Sequence, residues 1–184
     1  MNLNFLNYLD SQNRANSSLP ASELERLLIR LREVRNAGAT VWIAGNGGSA
    51  ATASHAVADF VKTSNQMGRA PVKSLALHES VSLVTAISND IEFRETFSKS
   101  LEWLSKPGDL YLAISVSGTS PNLVAGKSMA DHLGLDSACI FGKKGEDSSK
   151  DYAHAIVIES DDYQIVENTH MFIIHWLVKE LQNQ

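Results

Sequence analysis

Apolar positions along the chain change their period several times. Leu3, Leu6 and Leu9 are spaced for a short helix, which the polar run Asn16-Ser17-Ser18 ends. Leu24, Leu27, Leu28, Leu31 and Val34 then follow a helical stripe, with Ser22 and Glu25 at capping-box spacing before it and Gly38 as a stop. The period switches at Thr40–Ala44, a β-branched and aromatic run that breaks into Gly45-Asn46-Gly47-Gly48-Ser49. This predicts a buried strand, a glycine-rich turn and a helix over Ala50–Lys62. The same events recur as strand Leu110–Ile114, loop Ser115–Ser120 and helix Asn122–Leu133. Ala138–Phe141 and Ala155–Ile158 read as two further strands, Ser74–Leu77 as a weaker one, and Tyr163–Leu181 as a closing helix.

Strands alternating with helices imply βαβ units around a parallel sheet. Strands this apolar are covered on both faces. The expected fold is α/β: a three-layer αβα sandwich with an open parallel sheet, preceded by a helical extension over about residues 1–37. No linker interrupts the pattern, and residues 1–184 are read as a single domain.

Ligands of such sheets collect beyond the carboxyl ends of the strands, where both loops fall. Glycines in Asn46-Gly47-Gly48-Ser49 let the backbone approach a ligand, and the following helix offers free N–H groups and a positive dipole end. Ser115, Ser117, Thr119 and Ser120 place four hydroxyls within six residues, and Pro121 sits where a helix start tolerates it. Either loop alone is a common connector, and serines often only cap helices. Two at equivalent places in one sheet favour an anion site.

Gly45, Gly47 and Ala50 satisfy a dinucleotide pattern, but no acid closes the second strand at the required distance: Asp59 falls inside the helix and Glu79 beyond the weak strand. A P-loop is excluded because no Gly-Lys-Ser/Thr follows the glycines. The expected ligand is a phosphate without a nucleotide cofactor. Among ionisable residues, His55 and Asp59 are four apart and share a helix face. Glu167 and His175, eight apart, lie roughly 80° apart around the last helix. Together they suit general acid–base work or a divalent metal such as zinc. Each also has a plainer reading, a surface or core hydrogen bond, and His170 reads equally as a satisfied core histidine.

Composition narrows the partners. With 43% hydrophobic and 20% charged residues the chain is of ordinary globular type. A net charge of -5 gives no electrostatic footprint for nucleic acid, and Arg26, Arg30, Arg32 and Arg35 read as a solvated helix face. The lone Cys139, inside an apolar run, cannot form an internal disulfide, which suits a reducing cytoplasm. Met1–Asp10 lacks the features of a signal peptide, and no stretch is long and apolar enough for a membrane span. A cytoplasmic protein without membrane contact is expected.

Taken together, Ala44-Gly45-Asn46-Gly47-Gly48-Ser49-Ala50, His55, Ala86-Ile87-Ser88-Asn89-Asp90, Ile114-Ser115-Val116-Ser117-Gly118, His170 and Ile174-His175 resemble the sugar isomerase (SIS) domain, and within it the phosphoheptose isomerases. The resemblance implies that Ser49, Ser115, Ser117 and Ser120 hold a phosphate. It implies isomerisation of sedoheptulose 7-phosphate to a heptose 7-phosphate through an enediol, with Asp59 and His175 catalytic. His55, Asp59, Glu167 and His175 stand at positions that bind zinc in some members, and the family works as a homotetramer with active sites between subunits. Asp90 and Gln164 are expected at the substrate. Three residues depart from the pattern: Asp59 replaces glutamate, Glu167 replaces glutamine, and Gln164 stands where aspartate is expected. Related SIS proteins act without catalysis, as a replication-initiation factor or as sugar-phosphate sensors, and this is the alternative.

Overall fold

A computed structural model describes residues 3–65, 68 and 70–183. Two helices, α1 (Leu3–Ser17) and α2 (Ala21–Ala37), precede strand β1 (Thr40–Ala44) and helix α3 (Gly48–Ala58), which continues into a π-helical turn over Asp59–Thr63. Then follow β2 (Lys73–Ala76), α4 (Val81–Asp90), α5 (Thr96–Leu104), β3 (Leu110–Ser115), α6 (Pro121–His132), β4 (Asp136–Gly142), a one-turn α7 (Glu146–Ser149), β5 (His154–Ile158) and α8 (Tyr163–Gln182). The five strands form one parallel sheet in the order β2-β1-β3-β4-β5. Among the described residues, no helix is long and apolar enough to cross a membrane.

Alternation within the strands divides the core in two. Val41, Ile43, Leu110, Leu112, Ile114, Ile140 and Ile156 point to one face, where they meet Leu27, Leu31 and Val34 of α2, Ala53 of α3 and Ile173, Ile174 and Leu177 of α8. Trp42, Tyr111, Cys139 and Phe141 point to the other face, against Phe97 and Leu101 of α5 and Leu123 and Ala130 of α6. The expected αβα layering is therefore present. Burial raises the Cys139 thiol to about 12, so it stays protonated and inert.

Element boundaries depart from the periodicity where a local rule is overridden. Helix α2 starts one residue before Ser22: the Pro20 carbonyl accepts the N–H groups of Glu23 and Leu24, so Ser22 is already inside the first turn and no side chain caps it. Gly38 ends it as expected, donating to Arg35 and Val34. Helices α4 and α5 are absent from the hydropathy pattern. The buried face of α5 includes Thr96, Ser98 and Ser100, whose hydroxyls bond back to the carbonyls of Phe93, Glu95 and Thr96. Hydroxyls satisfied by their own helix bury like apolar groups, yet count as polar in sequence.

One buried acid holds the lower end of the sheet. The Asp109 carboxylate accepts from Thr40 N–H (2.8 Å), Trp42 Nε1–H (2.8 Å) and Lys106 N–H (3.0 Å), which ties the entry to β3 against β1. His170 on α8 is a correction to the satisfied-core reading: it is fully buried, and neither ring nitrogen has a hydrogen-bond partner of good geometry, although the backbone of Ile140 weakly favours the charged ring. Desolvation dominates and lowers its pKa to about 4. A depressed folded-state pKa means that the unfolded chain binds the proton first, so stability falls as pH falls from the unfolded value near 6.5 towards 4. Relative to His170→Phe, the parent should lose up to about 3 kcal/mol more over that interval, read by urea unfolding at each pH. Parallel pH profiles for the two proteins would refute the assignment.

Candidate active site

The strand order reverses direction between β1 and β3, and an open parallel sheet leaves a crevice at the carboxyl ends of such a pair. The glycine loop leaves β1 and the serine loop leaves β3, so both open into it. A reciprocal amide pair clasps them: Asn46 Nδ2 donates to Asn122 Oδ1, and Asn122 Nδ2 donates to Asn46 Oδ1, each at 2.9 Å. Asn122 is buried in the first turn of α6. Sequence reasoning missed it, because a single amide after Pro121 carries no pattern of its own.

Gly47 is the N-cap of α3, Gly48 its first residue, and Ser49 is buried in its first turn. In the second loop Ser115 Oγ accepts Gly118 N–H (3.0 Å), and Ser117 Oγ accepts from Thr119 N–H (3.4 Å) and Thr119 Oγ1 (3.2 Å). Gly118 has a φ of +65°, and a β-carbon there would come within 2.8 Å of the Phe141 ring, so this turn demands glycine twice over. Ser120 is the N-cap of α6 and spends no side-chain bond on the cap. The amino ends of α3 and α6 thus both border the crevice with their hydroxyls, and it is at such ends that first-turn N–H groups lack a partner one turn back within the helix. A cavity of about 810 Å³ next to the second loop reaches Thr119, Pro121, Arg94 and His132 but not the other histidines.

The structure brings three of the predicted ionisable residues together. His55 Nε2 lies 3.0 Å from His175 Nε2, Asp59 Oδ2 lies 3.3 Å from His55 Nε2, and 3.9 Å separates it from His175 Nε2. The two rings meet edge to face. All three donor atoms lie within 4.8 Å of one another. Ligands at ~2.05 Å on a tetrahedral ion stand about 3.3 Å apart, so edges of 3.0, 3.3 and 3.9 Å suit a cation of zinc size. The side chains of His55 and His175 keep 44% and 55% of their surface exposed, so the group is open on its outer side.

Glu167 is not in this group, because its carboxylate lies against Gly48 at the start of α3. Asp90, the last residue of α4, is exposed and accepts from its neighbour Asn89 (2.7 Å). Gln164 is exposed at the start of α8, with its backbone N–H on Asp162 Oδ1 (2.9 Å). Neither is drawn to the histidine pair within this chain.

With the site's geometry in place, comparison with known proteins is direct. The SIS domain family model matches residues 7–141. The chain belongs to the SIS family. Its relatives include a probable phosphoheptose isomerase from Thermoplasma volcanium, 34% identical over 92% of this chain and 86% of that protein. The phosphoheptose isomerase of Geotalea daltonii is 37% identical over 80% of this chain and 76% of its own length. Membership therefore extends to the phosphoheptose isomerase branch of the SIS family. Among solved structures, a phosphoheptose isomerase from Francisella tularensis superposes with a TM-score of 0.89 at 23% identity, covering 100% of this chain and 96% of that one. At that identity the likeness speaks for the fold, and the SIS sheet is the one described above.

One positioning contact has no counterpart in the sequence reasoning. Thr63 Oγ1 donates to Asp59 Oδ1 at 3.1 Å, which leaves Oδ2 facing the histidines. The contact spans the π turn, where Ser64 N–H reaches back five residues to the Asp59 carbonyl (3.0 Å); such turns often mark functional positions. Replacing Thr63 with valine should weaken zinc binding by the chelator-treated protein roughly tenfold, as loss of an outer partner of a ligand does. Thr63→Ser should restore it, and equal titration curves for Thr63→Val and the parent would refute the role.

Proposed function

We propose that this chain is an aldose–ketose isomerase that converts sedoheptulose 7-phosphate to a glycero-manno-heptose 7-phosphate through an enediol. The observation that carries this reading is the convergence of His55, Asp59 and His175 from two helices that also border the glycine loop. The chain's phosphoheptose isomerase relatives support the substrate class.

In this reading the hydroxyls of Ser49, Ser115, Ser117 and Ser120, with Asn46, Gly47 and Gly48, hold the phosphate. They fix one end of the sugar so that its carbonyl carbon and neighbour come to rest near the triad. Asp59 Oδ2 removes the proton from the carbon next to the carbonyl. His175 Nε2 moves a proton between the two oxygens, and the enediol then collapses with the carbonyl relocated. Asp59 reaches one methylene less far than the glutamate expected from the resemblance, and its approach to His55 within 3.3 Å supports the same role for the shorter side chain. Asp90 and Gln164 would bind sugar hydroxyls.

Zinc belongs to the same proposal as an alternative occupant of these atoms: one ion held by His55, Asp59 and His175 would engage the Oδ2 and Nε2 lone pairs that otherwise move protons, and would supply polarisation of the substrate's carbonyl oxygen in their place. The homotetramer belongs to it too. Phe5 and Leu9 of α1, and Val81, Ile91 and Phe93 around α4, stay exposed in the single chain, and α4 buries only Ile87. A second copy covering such surface would bury these side chains. Light scattering on the purified protein should give four times the chain mass; a monomer at micromolar concentration would refute this part.

The catalytic test is direct. The protein, with and without zinc, should convert sedoheptulose 7-phosphate to an aldose product followed by NMR, and His175→Ala should lower the rate roughly 10²–10⁴-fold. Failure of the parent to turn over in either condition would rule out the heptose assignment and leave the non-catalytic sensor reading in its place.

A further inference from the structure

The carboxyl end of α8 is held from two sides. Arg32 and Arg35 of α2, which the sequence places on a solvated face, reach across to it instead. Arg32 Nη2 donates to the Glu180 carbonyl at 3.2 Å, and Arg35 Nη1 donates to that of Leu181 at 3.1 Å. The last carbonyls of a helix have no partner one turn on, and basic side chains can supply one. One residue later, part-buried Gln182 donates from Nε2 to the Thr63 carbonyl at 3.0 Å. Thr63 closes the π turn that opens with Asp59, and its hydroxyl donates to Asp59 Oδ1 at 3.1 Å. Gln182 stands seven residues after His175, so the two lie roughly 20° apart around α8 and about 10 Å apart along it. His55, Asp59 and Thr63 recur every four residues on the facing segment. The two segments therefore meet at His55–His175 and again at Thr63–Gln182, with Asp59 between the two contacts.

We infer that Gln182 is a positioning residue for the triad: it sets the register of the π turn on α8 and, through Thr63, holds Asp59 Oδ2 towards His55 and His175. This rests on the reading that these three side chains form the working site. The argument is one of constraint. A contact at His175 alone fixes one point, and the segment that follows could still pivot about it; a second bond further along α8 fixes its angle. Asp59 has a short side chain, so the backbone of the turn decides which carboxylate oxygen reaches the rings. Its Oδ2 is 3.3 Å from His55 Nε2 and 3.9 Å from His175 Nε2, so a shift of the turn away from α8 would break the longer approach first. The turn itself departs from regular helix geometry, with Ser64 N–H reaching back to the Asp59 carbonyl. Gln182 ties the last residue of that irregular turn from outside, and the arginines of α2 hold the helix end from which it does so.

The test removes the donor and keeps the length of the side chain: Gln182→Met, alone and combined with Thr63→Val. Zinc titrated into the chelator-treated proteins should bind Gln182→Met roughly fivefold more weakly than the parent, a smaller loss than for Thr63→Val because the contact lies one bond further from the ligand. The double variant should bind zinc within about twofold of Thr63→Val alone, since the connection to Asp59 is already cut. At one fixed pH, the imidazole NMR signals of His55 and His175 in the metal-free protein should shift in Gln182→Met. The same substitution made in Thr63→Val should leave them in place. A bond that only stabilises the fold would lower the melting temperature and move neither zinc affinity nor the ring signals, and that result overturns the inference. Additive losses in the double variant overturn it too, because Gln182 would then act by a path that avoids Thr63. If the parent binds no zinc, the metal reading fails by itself and the ring signals decide: a shift in Gln182→Met upholds the inference, and unmoved signals overturn it.

Discussion

The reversal of winding between β1 and β3 governs everything functional in this molecule. Because β2 lies on one side of β1 while β3, β4 and β5 extend on the other, the connections leaving β1 and β3 diverge and a crevice opens between them. The Asn46–Asn122 amide pair fixes its width, since each amide uses one donor and one acceptor on the other. Loss of either side chain would leave a partly buried amide unpaired. Below the crevice, Asp109 does comparable work at the opposite end of the same strands, where its carboxylate joins β1 to the entry of β3.

Above that frame, α3 and α8 pack together and meet at two places with opposite chemical character. At the amino end of α3 the Glu167 carboxylate lies against Gly48. Further along, His55 and Asp59 meet His175, two imidazoles and a carboxylate that share one small volume. The π turn that begins at Asp59 lets Thr63 hold the far carboxylate oxygen. The first place lies at the glycine loop and the second is half exposed to solvent. In the proposed reaction the sugar's phosphate would sit at the crevice and its reacting carbons at the triad.

Much of this was legible in the chain itself. The switch from helical spacing in α2 to the TVWIA strand and its glycine loop, repeated at LYLAIS and its serine loop, fixes a parallel α/β sheet, because runs apolar on both faces need cover on both faces. Spacing of four residues placed His55 beside Asp59, since that geometry belongs to any α-helix. Helices α4 and α5 were hidden, because one barely packs within the chain and the other buries hydroxyls that satisfy themselves.

What the chain alone could not decide were relations between elements distant in sequence. Residues 55 and 175 stand 120 positions apart, and only the packing of α3 on α8 makes them a pair at 3.0 Å. Glu167 shares a helix with His175, and periodicity offered it to the same cleft; the depth of Gly48, where no β-carbon intervenes, drew its carboxylate elsewhere. Asn122 found its partner across the crevice for the same reason. Local periodicity determines which faces are apolar and which residues are neighbours along a helix, whereas the meeting of two side chains across the sheet depends on how whole layers pack.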